Sequence, residues 1–293
     1  GSDRQCIELM RMSREVYVRL CTQFRHKLWL HDSSHVSVEE KMTMFLTIIG
    51  NNERYVVIKR RFQHSSQTNA YFHEVLATMM TFAREMIVPS TFDHNQDNPG
   101  ANKYDGFLSY FIGALDRTLV HAIIPSSQQT VYRARGKGKC YQNVLGIYDF
   151  NMIFTFVYAG WEGVAHDSRV LTEVMAAPSN NFPFPPPSIK YYLCNAMYTN
   201  TRGFMAPYRI VRYLGDFCHK RAMTKEEKFN HAHAKLRNII ERAYDVLKAR
   251  FPILDKMAPY PFNVQRNIVI ACFAVNNFIR EEKINDELFA QYE

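Results

Sequence analysis

Apolar residues in the N-terminal part of the chain recur at the three- and four-residue spacing of amphipathic helices. Ser13 stands where it can cap a helix over residues 14–28. Ser37 and Glu40 have the spacing of a capping box, and the helix that they begin runs to a Gly-Asn-Asn break. The pattern therefore predicts an all-helical domain over residues 3–90.

The last two predicted helices of this domain flank a short turn that is rich in Ser and Thr. One covers residues 54–62 and the other ends near residue 86. This outline is typical of a helix-turn-helix, in which residues 66–72 would begin the helix that reads DNA. A packing domain of capped helices has the same pattern, so both interpretations stay open.

Residues 91–105 are rich in Pro, Asn, Asp and Gly, which predicts a linker. After this linker the period of the apolar positions changes to that of strands, and strands are then followed by helices. Such an order predicts an α/β domain over residues 106–293. Its predicted strands cover residues 108–116, 142–148, 152–158 and 190–198, with the second and third forming a hairpin, and its predicted helices cover residues 165–176, 224–251 and 264–280.

Net charge and cysteine content narrow the class of protein only slightly. The 293 residues include 36 basic and 28 acidic ones, a formal net charge of +8, which suits a nucleic-acid or acidic partner without identifying one. The six cysteines are scattered without a Cys-x-x-Cys pair, so we expect reduced thiols in an intracellular protein. We expect neither a secretion signal nor a membrane span.

Two acidic residues stand out from their surroundings. Asp116 ends an apolar, strand-like run. An ionised carboxylate is costly there unless it pairs with a cation or binds a metal. Glu241 lies on a predicted helix, with Arg237 and Lys248 on roughly the same face. Convergent carboxylates of this kind hold the two Mg²⁺ or Mn²⁺ ions of many nucleases. The alternatives are an ion pair of Asp116 with Arg117, and a solvent-facing ion pair of Glu241 with Arg237.

Two further features are candidates for a functional site. Asp167 would serve as a metal ligand, or equally well as an acid in the first turn of a helix. A basic segment suits contacts with phosphate groups that do not read sequence, although exposed hairpin tips are often basic. Its cations are Arg133, Arg135, Lys137 and Lys139.

Five blocks follow one another along the chain: GALDRT at residues 113–118, QNVLG at 142–146, AGWEGVAHDSRVL at 159–171, YYLCNAMY at 191–198, and the helix at 236–251. Together they resemble the Harbinger (PIF-type) transposase-derived nucleases, and most closely the plant members of that family. The resemblance covers nearly the whole chain. It implies an RNase-H-like catalytic domain of the DDE class, preceded here by the helical domain with its helix-turn-helix-like character.

The resemblance also assigns roles to particular positions. Asp116 falls on the first catalytic acid of the family, and Glu241 falls on the third. Arg237, Glu241 and Lys248 match the Arg-x₃-Glu-x₆-Lys signature of related transposases. The second acid of the family falls on Asn195. Asp167 matches a further acid of the family pattern and is not an obvious replacement for the second acid.

The departures from the family all weaken a metal site. The amide of Asn195 is neutral, so two carboxylates of the usual three would face two divalent ions. Arg117 stands where the family usually has Gly, and a cation beside Asp116 would neutralise it and fill the space of a metal. Met197 also replaces a common Gly. We therefore expect no useful nuclease activity.

The resemblance implies a domesticated transposase that needs no metal cofactor and works in the nucleus. Its implied partners are a Myb/SANT-like DNA-binding protein and subunits of a chromatin-regulating complex, with non-specific DNA contact through the basic segment and through Arg237 and Lys248. The alternative is an active endonuclease dependent on Mg²⁺ or Mn²⁺, in which Asp167 substitutes for the missing acid beside Asp116 and Glu241. A third hypothesis is a DNA-binding protein that works through its helical N-terminal domain.

Overall fold

The computed structural model describes residues 3–62, 67–89, 110–133, 138–149, 151–186, 190–209, 211, 224–282, 284 and 290. The N-terminal part is helical, as predicted. The side chains of Ser13 and Ser37 accept hydrogen bonds from the backbone N–H groups of Val16 and Glu40, at 3.3 and 3.2 Å, and so cap two of the helices. The helices are α1 (Asp3–Met10), α2 (Arg14–His26), α3 (Val38–Asn51), α4 (Tyr55–Phe62) and α5 (Thr68–Met86).

The rest of the described chain is built on a five-stranded sheet. Its strands are β1 (Phe111–His121), β2 (Tyr141–Tyr148), β3 (Phe154–Glu162), β4 (Tyr191–Leu193) and β5 (Phe204–Met205), in the spatial order β3-β2-β1-β4-β5. The first three strands are antiparallel neighbours, whereas β4 runs parallel to β1 and β5 runs parallel to β4. The helices are α6 (Gln129–Tyr132), α7 (Asp167–Ala176), α8 (Lys225–Arg250) and α9 (Phe262–Glu281). This mixed sheet between helices is the RNase-H-like α/β fold that was predicted.

Helices cover both faces of the sheet because successive strand residues point to opposite sides. Val144 and Tyr148 of β2 pack in the cluster that contains α8 and α9. Leu145 and Ile147, which alternate with them, pack in the cluster that contains α7. With both faces buried, the strands read as nearly continuous apolar runs.

Several strand boundaries differ from the prediction. The hairpin of β2 and β3 forms, but β3 begins at Phe154 and continues to Glu162. The predicted strand over residues 190–198 shortens to Tyr191–Leu193, the three residues that pair with β1. The predicted strand over residues 108–116 instead runs from Phe111 to His121, because β2 continues to pair with it.

The N-terminal helices share a hydrophobic core with the sheet domain. One continuous cluster contains buried residues from α1 to α5, from α8 and α9, and from the sheet. Phe72 of α5 stacks on Tyr260, just before α9, with ring centroids 5.5 Å apart and an interplanar angle of 7°. The predicted linker over residues 91–105 lies outside the described residues, and the division into domains stays a prediction.

Packing also involves the predicted recognition helix. Thr68, Tyr71 and Phe72 at the start of α5 are buried, so this part of its first turns faces the protein, whereas Asn69 and Ala70 are exposed. Ser66 lies outside the described residues. DNA reading by this module stays a prediction, and only the exposed positions of the first turns are available for it.

Two expectations about thiols and membranes can be compared with the fold. Cys6, Cys21, Cys140, Cys194 and Cys272 are free thiols, and all but Cys140 are buried. Within the described ranges, no helix is both long and apolar enough to cross a membrane.

We predict that Asn277→Ala lowers the free energy of unfolding by about 3 kcal/mol, because it leaves buried backbone groups without a partner. Asn277 accepts from the N–H of Phe154 at 2.9 Å and donates to the carbonyls of Phe154 and Met86 at 2.8 and 2.9 Å. It thereby ties the end of α5 to the first residue of β3. Urea denaturation measures the loss.

The matched control is Asn276→Ala at the neighbouring position. Asn276 is as buried as Asn277, but its Oδ1 has no hydrogen-bond partner among the described residues. The control should therefore cost well under half as much. Equal losses for the two variants would show that the hydrogen bonds of Asn277 are not what joins the helices to the sheet.

Candidate active site

Asp116 and Asn195 meet because β1 and β4 run parallel. β4 pairs with β1 only as far as Leu193, opposite Ala114. Two residues beyond this pair, Asn195 lies beside Asp116, and its Nδ2 donates to Asp116 Oδ1 at 2.9 Å. Asp116 lies in the middle of β1 rather than at its end, because β1 pairs with β2 as far as His121. The prediction that Asp116 ends its strand is wrong, but the side chains of Asp116 and Asn195 do meet.

The amide of Asn195 joins two carboxylates. Its Nδ2 also donates to Asp167 Oδ2 at 3.0 Å, while its Oδ1 accepts from the backbone N–H of Met197 at 2.8 Å. Asp167 is the first residue of α7 and is buried. The edge of Asn195 that faces the acids is therefore a hydrogen-bond donor, which is the opposite of a metal ligand.

Arg237 of α8 brings the third acid to the cluster. One of its terminal nitrogens donates to Asp116 Oδ2 at 2.5 Å, and the other donates to Glu241 Oε1 one turn further along the helix. The side chain of Arg237 is only 13% exposed, whereas that of Glu241 is 50% exposed. The expected ion pair of Arg237 with Glu241 forms, but it faces the site as well as solvent.

Arg117 pairs with Asp167 and not, as expected, with Asp116. Its Nε donates to Asp167 Oδ1, and one of its terminal nitrogens donates to Asn143 Oδ1. Neighbouring residues of a strand point to opposite faces, so the side chain of Arg117 lies on the face covered by α7. Only its backbone N–H contacts Asp116, at Oδ1 and 2.8 Å. The expectation that Arg117 neutralises Asp116 is wrong; Arg237 has that contact.

Tyr244 connects α8 to β1 at the site, a role that the sequence analysis did not predict. Its buried hydroxyl donates to the backbone carbonyl of Asp116 at 2.8 Å. Gly146 lies opposite Asp116 on β2, and a Cβ added there would lie 2.5 Å from the Tyr244 hydroxyl oxygen. The signal in the sequence was a glycine within a strand, which often marks a close approach.

Burial dominates the electrostatics of the cluster. It raises the pKa of Asp116 above its ordinary value of 3.8, although Arg237 and the N–H of Arg117 act in the opposite direction. Asp167 and Glu241 add to the rise in this pKa because they are like charges nearby. Burial, with help from the charge of Asp116, also raises the pKa of the Cys194 thiol to about 12. Negative charge on Asp116 is therefore costly, because its carboxyl group is largely removed from water.

Two family models match the chain. The model described as a DDE superfamily endonuclease matches residues 115–277, which is more than half of the chain and contains Asp116, Asn195 and Glu241. The chain belongs to the DDE superfamily endonuclease family. A model described as a domain of unknown function (DUF8040) matches residues 1–81. Comparisons with curated proteins and with solved structures give no significant match.

Nucleases of the DDE superfamily typically use divalent metal ions, and the side chains described here do not fit a pair of them. Both oxygens of Asp116 and both oxygens of Asp167 accept hydrogen bonds from an arginine or from Asn195. Among the described residues, no group of three or more His, Cys, Asp or Glu side chains is placed to hold a metal. Three carboxylates are instead held by two guanidinium groups and one amide.

The other predicted cations do not join this cluster by any contact described. Lys248 is half-buried on α8, seven residues and so about 10 Å along the axis beyond Glu241. Arg133 and Lys139 of the basic segment are exposed. Arg135 and Lys137 lie outside the described residues. The predicted phosphate-binding role of all these cations stays a prediction.

We predict that Arg237→Gln destabilises the protein by about 3 kcal/mol at neutral pH, because it leaves the buried carboxylate of Asp116 without its cation. The variant should raise the pKa of Asp116 further, since Arg237 is the strongest influence that lowers it. A carboxyl group whose pKa is higher in the folded state costs stability as the pH rises from its unfolded value towards its folded value. The loss should therefore shrink as the pH falls and Asp116 becomes protonated.

Denaturation at several pH values measures this dependence. The control is Arg242→Gln, at an exposed position of the same helix, which should change stability little at any pH. A loss for Arg237→Gln that stays constant down to acid pH would mean that Arg237 acts by packing rather than by its charge on Asp116.

Proposed function

We propose that this DDE-family protein is a domesticated, Harbinger-type nuclease-like protein that has lost catalysis and serves as an interaction subunit. One observation carries the loss of catalysis. The Asn195 amide nitrogen donates to Asp116 and to Asp167 at 2.9 and 3.0 Å. The position that the resemblance assigns to the family's second acid thus supplies a hydrogen-bond donor to the neighbouring acids in place of a carboxylate.

The charges in the cluster support the same proposal. Asp116, Asp167 and Glu241 contribute three negative charges, and Arg117 and Arg237 contribute two positive ones. Two divalent ions would have to displace both guanidinium groups. The Coulomb attraction between one guanidinium and one carboxylate is about 4 kcal/mol at a separation of 4 Å and an effective dielectric constant of 20. The displaced arginines would then lose their carboxylate partners. We infer that the cluster is stable as it stands and has little affinity for metal pairs.

The interaction role rests on the resemblance to Harbinger-type proteins, above all those of plants. On that basis we propose a nuclear protein that works with a Myb/SANT-like DNA-binding protein and with subunits of a chromatin-regulating complex. The basic segment would add non-specific contact with DNA. A folded domain with a retained core, in which each acid of the site is paired with an arginine, suits a role as an interaction platform.

A second candidate is an active, divalent-metal-dependent DNA endonuclease, and one observation favours it. Asp167 lies next to Asp116, since both accept from the same amide nitrogen. This closeness to Asp116 supports Asp167 as the substitute acid of that candidate. Against this candidate, Arg117 already holds Asp167 and Arg237 already holds Asp116 and Glu241.

We predict that Asn195→Asp creates Mn²⁺ binding that the native protein lacks. The substitution places a third carboxylate against Asp116 and Asp167, so repulsion should lower the melting temperature without metal. Binding of Mn²⁺ to the folded state should then restore stability by mass action. Calorimetry and thermal unfolding, with and without Mn²⁺, measure the two effects, and nicking of supercoiled DNA is followed in parallel.

Two controls separate the site from general effects of charge. Asn195→Ala removes the bridge without adding a charge, and Asn69→Asp adds a carboxylate at an exposed position of α5. Neither should gain Mn²⁺ binding. Metal-dependent nicking by the native protein, lost in Asp167→Asn, would overturn the proposed loss of catalysis and establish the second candidate.

A further inference from the structure

A concave patch lies at the end of β3, the edge strand farthest from β5, and the proposed function does not use it. A cavity of about 290 Å³ opens there between β3, α6 and the start of α9. The rings of Tyr132 and Phe262 line one side of it and meet edge to face, with centroids 5.1 Å apart. Each ring is only half-buried, so another molecule can reach the cavity and place an apolar side chain against the rings.

The cavity is lined by one cation, Arg266, and one acid, Glu162. Arg266 is exposed and Glu162 is half-buried. Among the described residues, neither side chain takes part in an ion pair or a hydrogen bond. The charge of Glu162 acts on Arg169, but the guanidinium group of Arg169 is already bound to Glu173 at 2.7 Å. A partner that satisfies both groups must therefore bring one cation and one acid.

Two exposed valines lie beside the cavity. Val131 and Val164 are 37% and 40% exposed. The N–H of Val164 donates to the carbonyl of Val131 at 3.2 Å, so the two residues are neighbours. Val131 precedes Tyr132 of the lining, and Val164 follows Glu162 by two residues. The cavity, its two charged groups and these valines together form the β3-end patch, which offers both apolar side chains and a cavity that can receive them.

β3 is an edge strand, and such strands often extend a sheet into a second molecule. Here both ends of β3 oppose this. At its start, the N–H and C=O of Phe154 are already bonded to Asn277, at 2.9 and 2.8 Å. Near its end the pairing with β2 shifts, and Gly160 forms a bulge with a φ of +103°. We therefore expect contacts through the side chains of the patch rather than through a continuous sheet.

We propose that two copies of this chain associate through the β3-end patch about a two-fold axis. Such an axis brings the same patch of both copies together. Arg266 of each copy then lies against Glu162 of the other, and the valines of each lie against the cavity of the other. A strongly acidic or strongly basic partner would meet a like charge at Glu162 or at Arg266, whereas a second copy supplies both opposite charges. This assembly goes beyond the proposed function, which does not depend on it.

The size of the patch sets the expected strength of the dimer. An exposed ion pair contributes little to binding, and the two-fold axis gives two such pairs. Small, partly polar interfaces are typical of weak and reversible complexes. We therefore expect a dimer that dissociates on dilution and with added salt, which screens the ion pairs.

The test is sedimentation velocity on the native full chain without metal, over about a hundredfold range of protein concentration. We expect the average mass to rise from that of the monomer towards that of the dimer as the concentration rises. At a fixed concentration, the fraction of dimer should fall when salt is added.

Charge-reversal variants locate the contact. Arg266→Glu places a carboxylate against Glu162 at both contacts of the dimer, and Glu162→Arg places a cation against Arg266 at both. At about tenfold for each contact, either variant alone should weaken dimerisation about a hundredfold. An equimolar mixture of the two variants should form a heterodimer about as well as the native protein dimerises, because every contact then joins an acid to a cation.

The matched control is Arg84→Glu on α5, another exposed arginine, which should leave dimerisation unchanged. Circular dichroism checks the fold of each variant. Three results would overturn the inference: a monomer at every concentration, a dimer that neither charge reversal weakens, and folded variants that stay monomeric when they are mixed. DNA nicking takes no part in this test, so its outcome is separate from that of the proposed loss of catalysis.

Discussion

The hydrogen bonds from the Asn195 amide to Asp116 and Asp167 join the three layers of the DDE-type domain. Asp116 belongs to the central strand, Asp167 to the start of α7 on one face, and Arg237, which holds Asp116, to α8 on the other. Asn195 can reach both acids because β4 ends after Leu193 and leaves the edge of β1 open beside Asp116. A carboxylate at this position would meet two like charges in a buried place where burial already raises the pKa of Asp116.

Two arginines complete this arrangement, and each contacts the acid on its own side of the sheet. Arg237 binds Asp116 and Glu241 from α8, and Arg117 binds Asp167 on the side of α7. Arg117 also contacts Asn143, whose Nδ2 donates to the carbonyl of Glu162 at 2.6 Å. A continuous chain of polar contacts thus runs from the acids to the end of β3. Removing one buried partner from such a network lowers the free energy of unfolding by more than the intact pair contributes to it, because the other charge stays buried and unpaired.

Much of the fold could be predicted from the sequence, because its signals are local. Ser13 and Ser37 cap helices as predicted. Parallel pairing of β1 with β4 brings Asp116 to Asn195, the two positions that the resemblance assigned to one site. The sequence could not show which acid Arg117 would contact, since that depends on the alternation of β1 and on where α7 begins. The roles of Tyr244 and Gly146 were also hidden, because they arise from the approach of a helix to a strand more than ninety residues away in the chain.

The central claim is that Asn195, Arg117 and Arg237 satisfy the acids of the site without metal. The most direct test is a crystal structure of the native protein soaked with Mn²⁺, with anomalous diffraction measured at the manganese edge. The account predicts no manganese peak between Asp116 and Glu241, with the Asn195 amide nitrogen still within hydrogen-bonding distance of Asp116 and Asp167. A manganese ion ligated by Asp116 together with Glu241 or Asp167, with the arginines displaced, would contradict it.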